Sequence, residues 1–113
     1  MYFKEKSMGT IIITLDSKEM KNPDLDIIYQ LPDEVEKYTK GKVSDNGYDY
    51  LSNTLIGIWL QTDSARESYE SVVELMKKKK FCGNDLSKTA KVYISDKETA
   101  ELEECEKVYP VTD

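Results

Sequence analysis

The sequence contains no histidine, and this absence excludes more chemistry than any other feature of its composition. Without an imidazole the chain cannot build a Ser-His-Asp or Cys-His nucleophile, a histidine general base or a histidine metal site. Pairs of carboxylates could still serve glycoside chemistry, but nothing in the sequence shapes a sugar cleft. We therefore expect a protein that is not an enzyme and has no catalytic residues.

Cysteine and glycine are also scarce. The two cysteines, Cys82 and Cys105, are too few for a disulfide framework or a zinc motif, and both stand beside apolar neighbours, which favours reduced, structural thiols. The five glycines are scattered, so neither glycine-rich nucleotide fingerprint is present. The stretch from Asp45 to Asp49 lacks the acidic spacing and the terminal glutamate of a calcium loop. We expect no cofactor and no metal.

Long apolar runs are missing, and basic residues are the minority among the charges. No run approaches the roughly 20 apolar residues of a membrane helix, so we expect no membrane association and a cytoplasmic location. There are 22 acidic against 16 basic residues, and the net charge of −6 opposes nonspecific binding to nucleic acid or anionic lipid. The natural complement of this charge is a basic protein, with no direct contact to nucleic acid.

The clearest pattern that the sequence does contain is an amphipathic helix beginning after Ser64. Ser64 and Glu67 have the spacing of a capping box, and lysines at positions 77–80 suit the negative end of the helix dipole. Gly83 is the predicted left-handed residue that ends the helix. The apolar face repeats at helical spacing, with Ala65, Tyr69, Val72, Val73 and Met76 on one side.

The preceding segment, Tyr48 to Leu60, can be interpreted in two ways. Helical spacing places Tyr48, Leu51, Leu55, Ile58 and Trp59 on one broad face, and the alternation within Leu55–Leu60 equally suits a buried strand. We favour the helix, which would form an antiparallel hairpin with the helix after Ser64. In that arrangement Trp59 is buried between the helical hairpin and a sheet.

The remaining elements complete the predicted fold. Pro32 fits the first turn of a short helix that ends by Gly41, and Ser95 with Glu98 predicts a C-terminal helix that stops at Pro110. We predict strands at Thr10–Leu15, Leu25–Leu31 and Thr89–Ser95. For Leu25–Leu31 we favour the strand, although Asp24 could equally cap a helix that runs into Pro32. The expected fold class is α/β or α+β, in a single small domain of residues 1–113 with three or so strands, a central helical hairpin and a C-terminal helix.

The segment from Asp24 to Tyr50 is both acidic and rich in tyrosine. It holds four of the eight tyrosines, and it has seven carboxylates against three lysines. Tyrosine offers a large contact area and carboxylates pair with arginine, which suits binding to a basic protein, although a charge run can also simply be a solvated face. The candidate partner-binding residues are Asp33, Glu34, Glu36, Asp45, Tyr48, Asp49 and Tyr50.

Two short motifs give the chain a resemblance to a known group of proteins. Asn46-Gly47-Tyr48-Asp49-Tyr50, read as opening one helix, and Asp63-Ser64-Ala65, opening the next, resemble the immunity proteins of bacterial polymorphic toxin and contact-dependent growth inhibition systems. The resemblance covers about residues 45–76. It implies a non-catalytic cytoplasmic antitoxin that binds one cognate toxin domain, often a nuclease, and covers its basic active-site surface. It assigns no individual residue.

Two other classes of function share these features. An acidic adaptor or regulatory protein-binding module, unrelated to toxins, would have the same composition and the same candidate surface. An acidic mimic of nucleic acid is a further alternative, but its carboxylates should be denser and less often paired with lysine. The identity of a neighbouring toxin gene would separate an immunity protein from an adaptor. The sequence predicts no oligomeric state.

Overall fold

The protein is organised around a five-stranded antiparallel sheet, in a computed structural model that describes residues 9–111. Within that range the sheet has the order β2-β3-β1-β4-β5, and helices α1 and α2 pack against one of its faces. The predicted domain of residues 1–113 extends beyond the described residues at both ends. The elements are β1 (Gly9–Asp16), α1 (Ile27–Tyr38), β2 (Val43–Tyr50), β3 (Leu55–Thr62), α2 (Ala65–Lys78), β4 (Lys91–Ser95) and β5 (Glu106–Tyr109).

Strand β1 is the centre of the sheet, as its run of β-branched residues predicts. It pairs with β3 on one side and with β4 on the other, so both of its edges are hydrogen-bonded. Ile11, Ile12 and Ile13 are all fully buried. Ile11 and Ile13 belong to the core beneath the helices, and Ile12, by the alternation of a strand, points to the opposite face. The predicted strands at Thr10–Leu15 and Thr89–Ser95 are confirmed as β1 and β4.

Helix α2 also begins where its capping signal predicts. The Ser64 hydroxyl accepts a hydrogen bond from the Glu67 backbone N–H, and the predicted apolar face lies against the core. The predicted end is wrong. The helix stops at Lys78, and Gly83, with φ of +81°, lies instead in a tight turn between the bridge partners Phe81 and Asn84.

The predicted strand at Leu25–Leu31 is wrong, because residues 27–31 form the first turns of α1 and Leu25 and Asp26 precede it. The helical alternative for this segment is the one observed, and the helix continues through Pro32. Their burial follows the helical spacing of Ile27, Ile28, Leu31 and Val35 rather than the alternation of a strand. Pro32 is therefore not in the first turn but inside the helix, where its ring is buried and one backbone hydrogen bond is forgone. The helix does end before Gly41, as predicted.

The predicted helix at Tyr48–Leu60 is wrong, and the competing strand interpretation of Leu55–Leu60 is confirmed. Residues 43–62 form a β-hairpin, β2–β3, whose turn is closed by the Leu51 N–H donating to the Leu55 carbonyl at 2.8 Å. Pairing decided the conformation, because β3 completes the free edge of β1 along eight residue pairs. In this register Ile58 and Leu60 face the core, which a helix would not achieve.

The segment 96–105 is not the predicted C-terminal helix, and we call it the back strap because it crosses the sheet face opposite the helices. Backbone carbonyl groups that would accept hydrogen bonds within a helix accept them here from side chains of the sheet. The Thr10 hydroxyl lies within 3.0 Å of the Lys97 and Glu98 carbonyls, and the Trp59 indole N–H donates to the Ala100 carbonyl at 2.9 Å. The strap contains one short 3₁₀ turn, Leu102–Glu104, and leads into β5.

Trp59 is half-buried on this back face rather than buried between a helical hairpin and the sheet, so its predicted location is wrong. The predicted fold therefore fails in three respects: the sheet has five strands, the helical hairpin is a β-hairpin, and the C-terminal helix is a strap followed by a strand. The observed fold is α+β, with an antiparallel sheet covered by two helices. None of the helices within residues 9–111 is long and apolar enough to cross a membrane.

Candidate functional site

Helix α1 and the edge strand β2 bring three exposed tyrosines together. Tyr29 on α1 makes an edge-to-face contact with Tyr48 on β2, and Tyr48 makes a second one with Tyr50, with 6.2 Å between ring centroids in both pairs. The three residues are 62%, 43% and 52% exposed, so most of this aromatic area faces solvent. Adjacent exposed rings of this kind mark an interaction surface more often than a scaffold.

Carboxylates lie beside the tyrosines in a shallow concavity of about 400 Å³. Its lining combines one face of α1 with the first half of β2. We call the whole set the α1–β2 surface, consisting of Tyr29, Asp33, Glu36, Asp45, Tyr48 and Tyr50. Gln30 also lines the concavity.

A β-bulge explains why Asp45 and Tyr48 share a face. Residues three apart in a regular strand point to opposite sides of a sheet. Here Asp45 pairs with Leu60 and Tyr48 pairs with Ile58, so Asn46 and Gly47 together occupy the space opposite Trp59. Gly47 adopts φ of +96°, which few side-chain-bearing residues tolerate. Since Leu60 and Ile58 both face the helices, the bulge turns Asp45 and Tyr48 towards α1.

Two aspartates on β2 also bind the backbone of their own strand. The Asp45 carboxylate accepts a hydrogen bond from the Gly47 N–H at 2.9 Å, and the Asp49 carboxylate accepts one from the Tyr50 N–H at the same distance. Because β2 is an edge strand, these bonds satisfy donors that the sheet leaves without a partner. Both carboxylates keep further lone pairs for a cation.

Five of the seven sequence-predicted residues lie on the α1–β2 surface, and two lie apart from it. Glu34 turns towards α2, where its carboxylate is 3.4 Å from the Lys79 ammonium group. Asp49 pairs across the sheet with Gly57, so its Cβ points to the back face, away from Tyr48. The acidic run from Asp24 to Tyr50 is thus divided between different sides of the molecule.

Tyr29 is the member of the surface that the sequence prediction missed. The favoured sequence prediction places Tyr29 in a strand, in which its relation to Asp33 and Glu36 is not visible. In a helix, Tyr29, Asp33 and Glu36 stand at positions i, i+4 and i+7 and so share one exposed face. The helical spacing of Ile27, Ile28, Leu31 and Val35 could have revealed this face, had Pro32 not been interpreted as a helix start.

The tyrosine contact changes the acidity of one hydroxyl group. The pKa of Tyr29 is raised above its ordinary value, first by the hydrogen bond with Tyr48 and then by the charge that Tyr48 acquires when it ionises. Burial, Tyr50 and Asp26 add smaller effects in the same direction. A raised pKa keeps the Tyr29 hydroxyl protonated at neutral pH, so this group can both donate and accept hydrogen bonds.

The carboxylates of the surface differ in whether a cation of the chain neutralises them. Asp33 forms a salt bridge of 3.2 Å with Lys37, one turn along α1. Among residues 9–111, Glu36 and Asp45 form no salt bridge. Within the same range no group of three or more Cys, Asp or Glu side chains is arranged to hold a metal ion. Within the described residues, the charge of Glu36 and Asp45 therefore has no cationic partner and is open to an external cationic group.

The two cysteines lie outside this surface. Both are free and half-buried, and burial is the main cause that raises the pKa of each thiol. Cys82 is further affected by the negative charges of Asp24 and Asp26, and its thiol points towards the Gln30 side-chain oxygen at 3.6 Å. A raised pKa keeps a thiol protonated and less reactive. Reactive-cysteine chemistry has no support in this geometry.

Comparison of the chain with protein-family models, curated proteins and solved structures finds no match in any of the three.

Proposed function

We propose that this protein is a non-catalytic antitoxin that binds a basic toxin domain, a nuclease, through the α1–β2 surface and covers the toxin's active-site region. The observation that carries the proposal is the exposed tyrosine cluster, bordered by Glu36 and Asp45, two carboxylates that form no salt bridge within residues 9–111. The resemblance to immunity proteins suggests that the partner is a toxin, and the α1–β2 surface suggests where the toxin binds. Its first motif lies on β2 rather than on a helix, so the argument rests on the surface.

The tyrosines provide the contact energy in this proposal. A tyrosine ring brings a large, rigid area to an interface and loses little side-chain entropy on binding, which explains why tyrosine is frequent among the residues that dominate affinity. Tyr48 contacts both of the other rings and is the least exposed of the three, so it has the central position. We assign it the largest single contribution to binding.

The carboxylates provide selectivity and speed. A nuclease must present cationic side chains to phosphate groups, and an acidic surface can compete for the same area with electrostatically steered association. Each exposed ion pair contributes only about 0–1 kcal/mol, so Glu36 and Asp45 contribute more to partner selectivity than to affinity. Salt should therefore slow association more than it speeds dissociation.

The test is the protection of cells that produce the toxin domain encoded beside this gene. Tyr48→Ala and Glu36→Lys are expected to reduce protection, because the first removes the central ring and the second reverses a charge that no cation of the described chain neutralises. Tyr48→Ala should weaken binding about 30-fold or more, the effect of losing about 2 kcal/mol at a dominant contact. Circular dichroism of each variant checks that the fold is retained.

Glu103→Lys is the matched control for Glu36→Lys, since it makes the same charge change at an exposed position of the back strap. The proposal predicts full protection by Glu103→Lys. Protection lost in Glu103→Lys and kept in Glu36→Lys and Tyr48→Ala would move the binding face to the back strap. A basic partner that binds through Tyr48 but is not toxic would instead make the protein an adaptor.

A further inference from the structure

The outer edge of β2 is a second feature of the binding side, distinct from the tyrosine rings. In an antiparallel ladder, bonded pairs alternate with pairs whose N–H and C=O groups point away from the neighbouring strand. The Leu51 N–H donates to the Leu55 carbonyl, so the pairs Tyr50↔Ile56 and Tyr48↔Ile58 are of the second kind. The backbone groups of Tyr48 and Tyr50 therefore face the outer edge of β2, with which no strand of residues 9–111 pairs.

One of these edge donors, the Tyr50 N–H, already donates a hydrogen bond of 2.9 Å to the Asp49 carboxylate. At the bulge, the Asp45 carboxylate likewise accepts the Gly47 N–H. A strand that adds to this edge must replace a carboxylate with its own carbonyl group, and the displaced carboxylate then needs a new partner. A cationic side chain on the incoming strand supplies that partner.

We propose that the Tyr48–Tyr50 edge of β2 accepts an extended, lysine- or arginine-bearing segment of the partner protein as an added strand, and that Asp49 restricts this pairing to cationic segments. The proposed function contributes only the expectation of a basic partner. Strand addition gives affinity through backbone hydrogen bonds and selectivity through the flanking side chains. Here the flanking groups are the two tyrosines on the helix side and Asp49 on the back face.

A second copy of this chain is not the occupant. Two β2 edges side by side would bring two copies of Asp45 and Asp49 together without a lysine on either strand, and like charges on paired strands are destabilising. The bulge at Asn46 and Gly47 further limits the regular edge to the residues that follow it. The added strand is therefore short, and its affinity depends on charge as well as on backbone bonds.

The experiment uses peptides, so it does not require the natural partner. The probe is a short peptide that alternates lysine and valine, with a threonine-for-lysine peptide as the neutral comparison. Binding is followed by amide NMR shifts and hydrogen exchange in the ¹⁵N-labelled full chain. We expect the lysine peptide to slow exchange at the Tyr48 and Tyr50 amides. N-methylation of its central residues should weaken binding about tenfold, the effect of losing about two hydrogen bonds.

Two variants of Asp49 separate the roles of its charge and of its hydrogen bond. Asp49→Asn keeps an oxygen that can accept the Tyr50 N–H but removes the charge, so it should lose the preference for lysine while the edge stays blocked to the threonine peptide. Asp49→Ala removes both, so the threonine peptide should bind it more tightly than it binds the wild type. Equal binding of the threonine peptide to all three proteins would overturn the restricting role of Asp49.

Strand addition itself would be overturned if N-methylation did not weaken binding of the lysine peptide. It would also be overturned if the peptide shifted the NMR signals of amides outside β2. These results are independent of the toxin experiment. If Tyr48→Ala loses protection and the peptide does not pair with the edge, the antitoxin proposal stands and this one fails. If the peptide pairs with the edge and Tyr48→Ala protects fully, strand addition stands and the antitoxin site fails.

Discussion

Strands β1 and β2 have the same length of eight residues and belong to the same sheet, yet they have opposite characters. In β1 seven consecutive residues are buried, and neighbouring strands pair with both edges. In β2 only Val43 is buried, six residues in succession are exposed, and no strand of the described part of the chain pairs with its outer edge. The two strands do not pair with each other, because β3 lies between them.

The difference shows which part of the chain carries stability and which part is free for binding. Burial of the β1 isoleucines stabilises the sheet directly. Strand β2 contributes little burial of its own and holds its conformation through pairing with β3 and through the hairpin turn. Its side chains can therefore change with little effect on the fold, and a surface with that freedom can be adapted to a partner.

The largest expected effect is on β1. Ile13→Ala should lower the free energy of unfolding by about 2–5 kcal/mol, because it leaves a cavity among fully buried side chains. Tyr50→Ala on β2 removes more atoms but should cost less than about 1.5 kcal/mol, the range for one aromatic pair. Urea denaturation measures both. Equal losses in the two variants would remove the contrast between the strands.

The next effect is at Gly57 on β3, which pairs with Thr14 of β1 and with Asp49 of β2. A Cβ atom at this position would lie 2.6 Å from the Trp59 ring, so Gly57→Ala should cost about 1–3 kcal/mol through overpacking. In a Trp59→Leu background most of that cost should disappear, since the clashing ring atoms are gone.

Gly47→Ala is the matched control for Gly57→Ala. Apart from Gly47 and its two chain neighbours, no heavy atom of residues 9–111 lies within 4 Å of the added Cβ, and the positive φ alone should cost about 1 kcal/mol. This cost should be the same with and without Trp59→Leu. If the cost of Gly57→Ala is also unchanged by Trp59→Leu, the Trp59 ring is not the source of the clash at Gly57.

The smallest effect is on an ionisation. Tyr48→Phe removes the hydrogen bond that raises the pKa of Tyr29, so the pKa of Tyr29 should fall towards its ordinary value. A raised folded-state pKa stabilises the protein below the unfolded-state pKa, and this contribution is lost as pH rises through the folded-state pKa. The effect is confined to alkaline pH. An NMR titration measures the pKa of Tyr29, and the control variant Tyr93→Phe on the back face should leave that pKa unchanged.

The same contrast explains what could be predicted from the sequence. Strand β1 and helix α2 are determined by their own residues, through the isoleucine run and through Ser64 with its apolar face, and both were predicted. Strand β2 has no such signal, because Asp45, Asn46 and Gly47 favour turns and only pairing with β3 makes them part of a strand. The back strap resembles a capped helix locally, but Thr10 and Trp59 take its carbonyl groups.

The candidate site was predicted in part for the same reason. Charge and aromatic content located most of its residues, since composition does not depend on conformation. Which of them share a face depends on the first turns of α1, before Pro32, and on the bulge, and the prediction contains neither. Tyr29 was therefore absent from the prediction, and Glu34 and Asp49 were included although they point elsewhere.

The most direct test of the account is the affinity of the purified toxin domain for two variants, measured by calorimetry at a temperature where both are folded. Tyr48→Ala on β2 should bind about 30-fold more weakly and remain nearly as stable as the wild type. Ile13→Ala on β1 should be much less stable and bind with unchanged affinity. Unchanged affinity in Tyr48→Ala would contradict the claim that β2 is the binding strand and β1 the scaffold.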